Sequence, residues 1–124
     1  MKKYYSVSLD IVTNKTTSAQ IVSAFGIKID DLVSIKDKQK TIWKFFSDCK
    51  KNQKLEDHII SITSKIKKHK ISKSNLVYKA ILLDVGIFYD TVTCTVNIKG
   101  DLLKEIIELI PDISIEVTCY PTTS

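Results

Sequence analysis

Glu56-Asp57-His58 is the one place in this sequence where titratable side chains cluster as they would in an acid–base site. Acid–base catalysis needs such groups to converge on a single reacting atom. Here they are consecutive on a stretch with helical periodicity, so the three side chains point about 100° apart and diverge. Glu56 and Asp57 fit better in the first turn of a helix, where carboxylates meet the positive end of the helix dipole. His69 lies eleven residues after His58, on nearly the same helix side but about 16 Å along the axis, so the two cannot share a metal ion. His58 flanks the apolar stripe and reads as a rim histidine satisfied by a hydrogen bond. His69, among Lys67, Lys68 and Lys70, reads as solvated.

The remaining chemistry-bearing residues are scattered. Cys49, Cys94 and Cys119 are widely spaced, with no CxxC pair to suggest zinc or a redox motif. Cys94 and Cys119 fall at apolar positions of strand patterns and read as small hydrophobes, and free thiols suit a reducing cytoplasm. Three glycines, Gly26, Gly86 and Gly100, are too far apart for a phosphate-binding loop. The expectation is a chain with no catalytic residues, no metal and no cofactor. A deep pocket around His58 and nearby acids would be needed to make it a small-molecule or enzymatic domain.

Charge says more than motif. All 19 basic residues are lysines, so no guanidinium fork is present for bidentate recognition of phosphate or guanine. Residues 36–79 carry a net +9 and residues 80–124 a net −5, within a total of +5. Such a two-sided domain is suited to docking on a charged partner. One candidate surface is the lysine run Lys65, Lys67, Lys68, Lys70 and Lys73, which also reads as the solvated end of a helix. The other is Asp101, Glu105 and Glu108, spaced along one helix side. No aromatics interleave with the lysines, which argues against base stacking there.

The elements that would position these groups follow from periodicity. Tyr5, Val7, Leu9 and Ile11 alternate with Tyr4, Ser6, Ser8 and Asp10 as a strand. A short helix follows, capped by Thr17 or Ser18 and ended by Gly26. Residues 27–41 read as a loop with room for one short strand, and Thr41–Ser47 as a strand. Leu55 to Lys70 is the longest predicted helix, with Leu55, Ile59, Ile62 and Ile66 on one side. Residues 77–89 form a strand with an apolar stretch from Ala80 to Val85, in which Gly86 suggests a bulge or bend. Val92, Cys94, Val96 and Ile98 alternate with Thr91, Thr93, Thr95 and Asn97, the cleanest strand pattern in the chain. A helix opens at Gly100-Asp101 and stops at Pro111, and Ile113 to Tyr120 closes the chain as a strand.

This order, β-α-β-α-β-β-α-β, calls for a single α+β domain over 1–124. It is a two-layer sandwich with a mainly antiparallel five-stranded sheet and three helices on one face. Trp43, Ile59, Ile62, Ile66, Val96, Ile106 and Val117 are the expected core. The other sheet face would show Tyr4, Ser6, Ser8, Thr91, Thr93, Thr95, Ser114, Glu116, Thr118 and Tyr120. The Met1–Ser6 start lacks the apolar stretch of a signal peptide and no 18-residue apolar run exists. A cytoplasmic protein without membrane contact, monomer or homodimer, is the expectation.

Several segments together resemble a family of small bacterial domains of unknown function. They are Phe25-Gly26-Ile27 ending a short helix, Thr41-Ile42-Trp43 before Ser47, Leu55-x-x-His58-Ile59 on a long helix, and a Leu-rich helix leading to Cys119-Tyr120. The family's Leu-Gly-Leu followed by proline stands here as Phe25-Gly26-Ile27 without the proline. The resemblance implies a small α+β sandwich and carries over no catalytic residues. By size and setting such domains are similar to the immunity proteins of bacterial toxin systems. The expected function is therefore a non-enzymatic domain that binds and neutralises a cognate protein toxin. The alternative is a nucleic-acid-binding module using the basic helix and the open sheet face, with Tyr4 and Tyr120 available to bases. It lacks the aromatic and arginine-bearing sheet motif of RNA readers.

Overall fold

In a computed structural model, which describes residues 3–14, 16–66, 76–90 and 94–122, the alternating N-terminal segment becomes β1 (Lys3–Thr13), the middle strand of the sheet. Thr17 caps α1 (Ser18–Phe25) through a capping box with Gln20, and Gly26 ends it in the left-handed region at φ 71°. A short 3-10 turn over Ile29–Asp31 leads into a hairpin of β2 (Leu32–Asp37) and β3 (Lys40–Phe46). Next come α2 (Leu55–Lys65), β4 (Ala80–Tyr89), α3 (Gly100–Leu109) and β5 (Ser114–Pro121). Among the described residues the α+β class and the numbers of strands and helices, five and three, are those the sequence calls for.

The sheet order is β2-β3-β1-β4-β5. The first three pairings are antiparallel, and β5 runs parallel to β4, so the sheet is mixed. The parallel pair follows from connectivity, since α3 lies between the two strands as a crossover.

One of the five strands lies elsewhere than expected. Residues 94–99 have no ladder, although Cys94, Val96 and Ile98 pack against the core while Thr95 and Asn97 are exposed. Residues 91–93 lie outside the described residues. The fifth strand is β2, within the segment expected to be mostly loop. A two-residue turn, Lys38-Gln39, with Lys38 at φ 58°, returns β2 onto β3. Gly86 marks no bulge, because its register is regular against Ser6 and Thr118.

One apolar cluster joins the layers. Val7, Leu9, Ile11, Phe45, Ile81, Leu83, Val85 and Ile87 of the sheet meet Ile21 and Phe25 of α1, Ile59 and Ile62 of α2, and Leu102 and Ile106 of α3. Ile59, Ile62, Ile66 and Ile106 are buried as expected. Trp43 and Val96 are only partly buried, and the Trp43 indole N–H donates to the Thr16 carbonyl at the rim. Val117 departs from expectation and is 42% exposed. It shares the register row of buried Val85, but β5 is an edge strand with no neighbouring strand beyond it.

Candidate functional site

Because the strands alternate, every core residue of the sheet fixes a neighbour on the opposite side. That side is not packed by α1, α2 or α3, whose buried apolar residues all join the cluster on the other face. The register brings together Tyr4, Ser6, Ser8, Ser114, Glu116, Thr118 and Tyr120, seven of the residues expected on the outer face. It adds others that sequence reasoning left out: Val33 and Ile35 from β2, Ile42, Lys44 and Phe46 from β3, Asp10 from β1, and Asp84 and Phe88 from β4.

At the centre of this face lies a hydrogen-bonded charge cluster. Lys44 Nζ is 2.8 Å from Asp10 Oδ2 and 3.4 Å from Asp84 Oδ2, and Ser8 Oγ donates to Asp10 Oδ1 at 2.6 Å. Ser8 and Asp10 are buried although, among the described residues, no helix packs on this side. The lysine stem and the neighbouring side chains of the row shield them, as long amphipathic side chains do on a sheet. Burial opposes the Lys44 charge, but the Asp10 hydrogen bond and the charges of Asp10 and Asp84 outweigh it, so the ammonium titrates above its ordinary range. Glu116 stands beside Asp84 across the parallel pair. Carboxylates therefore outnumber the Lys44 ammonium in the middle of the face.

Apolar and aromatic groups flank that centre on both sides. Val33, Ile35 and Phe46 are 49%, 45% and 40% exposed along the β2–β3 edge. At the opposite corner Tyr120 stacks on Phe88 with ring centroids 4.9 Å apart. Tyr120 also lies close to Gly86, where a Cβ would stand 3.4 Å from the tyrosine ring. Tyr4 lies next to this pair.

The other candidates separate. Glu56 is half-buried, Asp57 exposed and His58 buried, so the triplet diverges as helical geometry requires. His58 is more deeply placed than a rim position. Its Nδ1 is 2.6 Å from Ser47 Oγ and its ring packs near Tyr5. Nε2 is enclosed without a well-formed hydrogen bond among the described residues. Burial pushes the imidazole below its usual range, partly offset by the nearby backbone of Lys50 and Gln53 and by the Asp57 charge. A neutral histidine bonded to one serine clamps the end of β3 to α2. Among the described residues no three His, Cys, Asp or Glu side chains gather as metal ligands.

Of the expected lysine surface, Lys65 is described. It pairs with Asp48, lies 5.6 Å over the Phe45 ring, and lines a cleft of about 460 Å³ with Gly26 and Ile27. Lys67, Lys68, Lys70 and Lys73, together with His69, lie outside the described residues, and α2 ends at Lys65, short of the expected Lys70, because Ile66 is extended at φ −83° and ψ 133°. Asp101, Glu105 and Glu108 are exposed on α3, and the latter two line a shallow groove against Ile60 and Thr63 of α2. Among the described residues no helix is long and apolar enough to cross a membrane.

No family model, no curated protein and no solved structure matches this chain.

Proposed function

We propose that the protein is a non-enzymatic binding domain that docks a protein partner on the open face of its sheet, as an immunity protein blocking a cognate bacterial toxin. The observation that carries this reading is the makeup of that face. Five of the ten large hydrophobic residues most exposed in the described structure, Tyr4, Val33, Ile35, Phe46 and Tyr120, stand on it around a fixed charge cluster. Apolar and aromatic groups beside ordered charges are what protein interfaces use for affinity and for register respectively. The carboxylate excess of Asp10, Asp84 and Glu116 favours a basic partner surface, which leaves the α3 carboxylates as a secondary contact. The same excess repels phosphates and disfavours the nucleic-acid reading of this face. The resemblance of the Trp43 and Leu55-x-x-His58-Ile59 segments to small bacterial domains motivates the choice of a toxin.

Co-expression with the product of the neighbouring gene tests this. The predicted result is a stable complex and protection of the cell. Absence of both a complex and protection contradicts the toxin reading.

A further inference from the structure

Cys94 and Cys119 come from different parts of the chain and meet at the edge of the sheet. Cys119 lies on β5 opposite Ile87, and Cys94 begins the extended segment 94–99. Their sulfur atoms are 2.6 Å apart. Two thiols in simple contact stand much farther apart, while a covalent pair needs about 2.05 Å. The backbone therefore already holds these residues where a disulfide requires only a small side-chain adjustment. The segment is fixed from its other side as well, with Val96 and Ile98 packed on the core and Thr95 O accepting from Lys3 Nζ. Cys49 is elsewhere, in the turn after β3, and serves as an internal control.

We propose that Cys94 and Cys119 are a modification site, a cysteine pair that closes to an intramolecular disulfide on meeting a low-molecular-weight disulfide such as oxidised glutathione. The exposed Cys119 attacks as the thiolate, breaking the S–S bond of the reagent, forming a mixed disulfide and releasing one thiolate. Cys94 then gives up its proton to solvent and attacks the Cys119 sulfur, releasing the second thiolate. Two electrons pass from the cysteine pair to the reagent, which leaves as two thiols. Contact with the Cys119 sulfur pushes the Cys94 pKa up. The bond closes a loop of about 25 residues and pins the 94–99 segment over the core, so its reduction is expected to lower the Tm by roughly 10 °C.

Peptide mapping of the full chain tests the assignment. The protein is incubated with oxidised glutathione, free thiols are alkylated, and the chain is cleaved after lysine. The expected product is a cross-link between Ala80–Lys99 and Glu105–Ser124, in a monomeric protein, with Cys49 alkylated in Phe45–Lys50. Cys49→Ser should preserve the link, and Cys94→Ser or Cys119→Ser should each abolish it. The proposal is overturned if both cysteines stay alkylatable, if each carries its own glutathione adduct, or if the link joins two chains.

Discussion

Phe45 and Phe46 are neighbours in one strand and meet two different worlds. Phe45 is fully buried under the helices, while Phe46 is 40% exposed on the opposite face. The same division runs through the whole sheet. On the covered face, stability comes from apolar burial, with Val7, Leu9, Ile11, Leu83 and Val85 packed against three helices. On the open face, order comes from a polar cluster, Ser8–Asp10–Lys44–Asp84, set among hydrophobic residues that nothing described covers. A side chain's worth on the first face lies in folding. On the second, outside the charge cluster, the exposed side chains contribute little to folding.

Substitutions that act on one face and not the other test this contrast. The largest effect belongs to the covered face. Phe45→Ala should cost about 3–5 kcal/mol in chemical denaturation, a large share of an ordinary domain's stability, whereas Phe46→Ala should cost under about 1 kcal/mol. Similar losses from both would erase the distinction.

Next in size is the buried ion pair. Lys44→Ala leaves Asp10 enclosed without its cation and should cost about 3 kcal/mol. The double variant Lys44→Met with Asp10→Leu should recover most of that loss, because an apolar pair of similar volume carries no desolvation penalty. If the double variant is as unstable as the single one, the cluster does not behave as an ion pair.

A smaller effect is expected from His58 on the covered side. Its folded-state pKa is depressed below 6.5 by burial, so the folded protein resists a proton that the unfolded chain accepts. Stability should be unaffected by this group above about pH 6.5 and should fall as pH drops below it, by at most about 1.4 kcal/mol per pH unit for one proton. Comparing denaturation curves between pH 7 and pH 5 for the native chain and His58→Gln checks this. An identical pH dependence in the two proteins removes His58 as the cause. Smallest of all, charge reversal of the exposed Asp101, Glu105 or Glu108 should change stability by no more than about 0.5 kcal/mol.

Much of the covered face was legible because periodicity reports burial directly. Ile59 and Ile62 on α2, and the odd positions of β1, needed no information beyond their spacing. The same signal misled at 94–98, where alternation reports an extended backbone with one side packed and does not require ladder hydrogen bonds. The β2–β3 hairpin was hidden because Lys38-Gln39 lacks the glycine or asparagine that usually marks a two-residue turn. The outer face was half legible. Its serines, tyrosines and Thr118 follow from alternation, but the Asp10–Lys44–Asp84 cluster joins three strands, and only the pairing register reveals it. Asp84 in particular breaks the stretch read as apolar from Ala80 to Val85. Ser47 with His58, and Cys94 with Cys119, are likewise long-range meetings that no local spacing encodes.

Affinity of the proposed toxin partner for paired variants tests the central claim most directly. Ile35→Asp places a charge on the open face without touching the core. It should weaken binding by about 100-fold or more, as removal of an interface anchor does, with the fold intact by circular dichroism. A triple reversal of Asp101, Glu105 and Glu108 to lysine should weaken it far less. Binding unchanged by Ile35→Asp, or lost chiefly through the α3 reversals, would contradict the open sheet face as the docking surface.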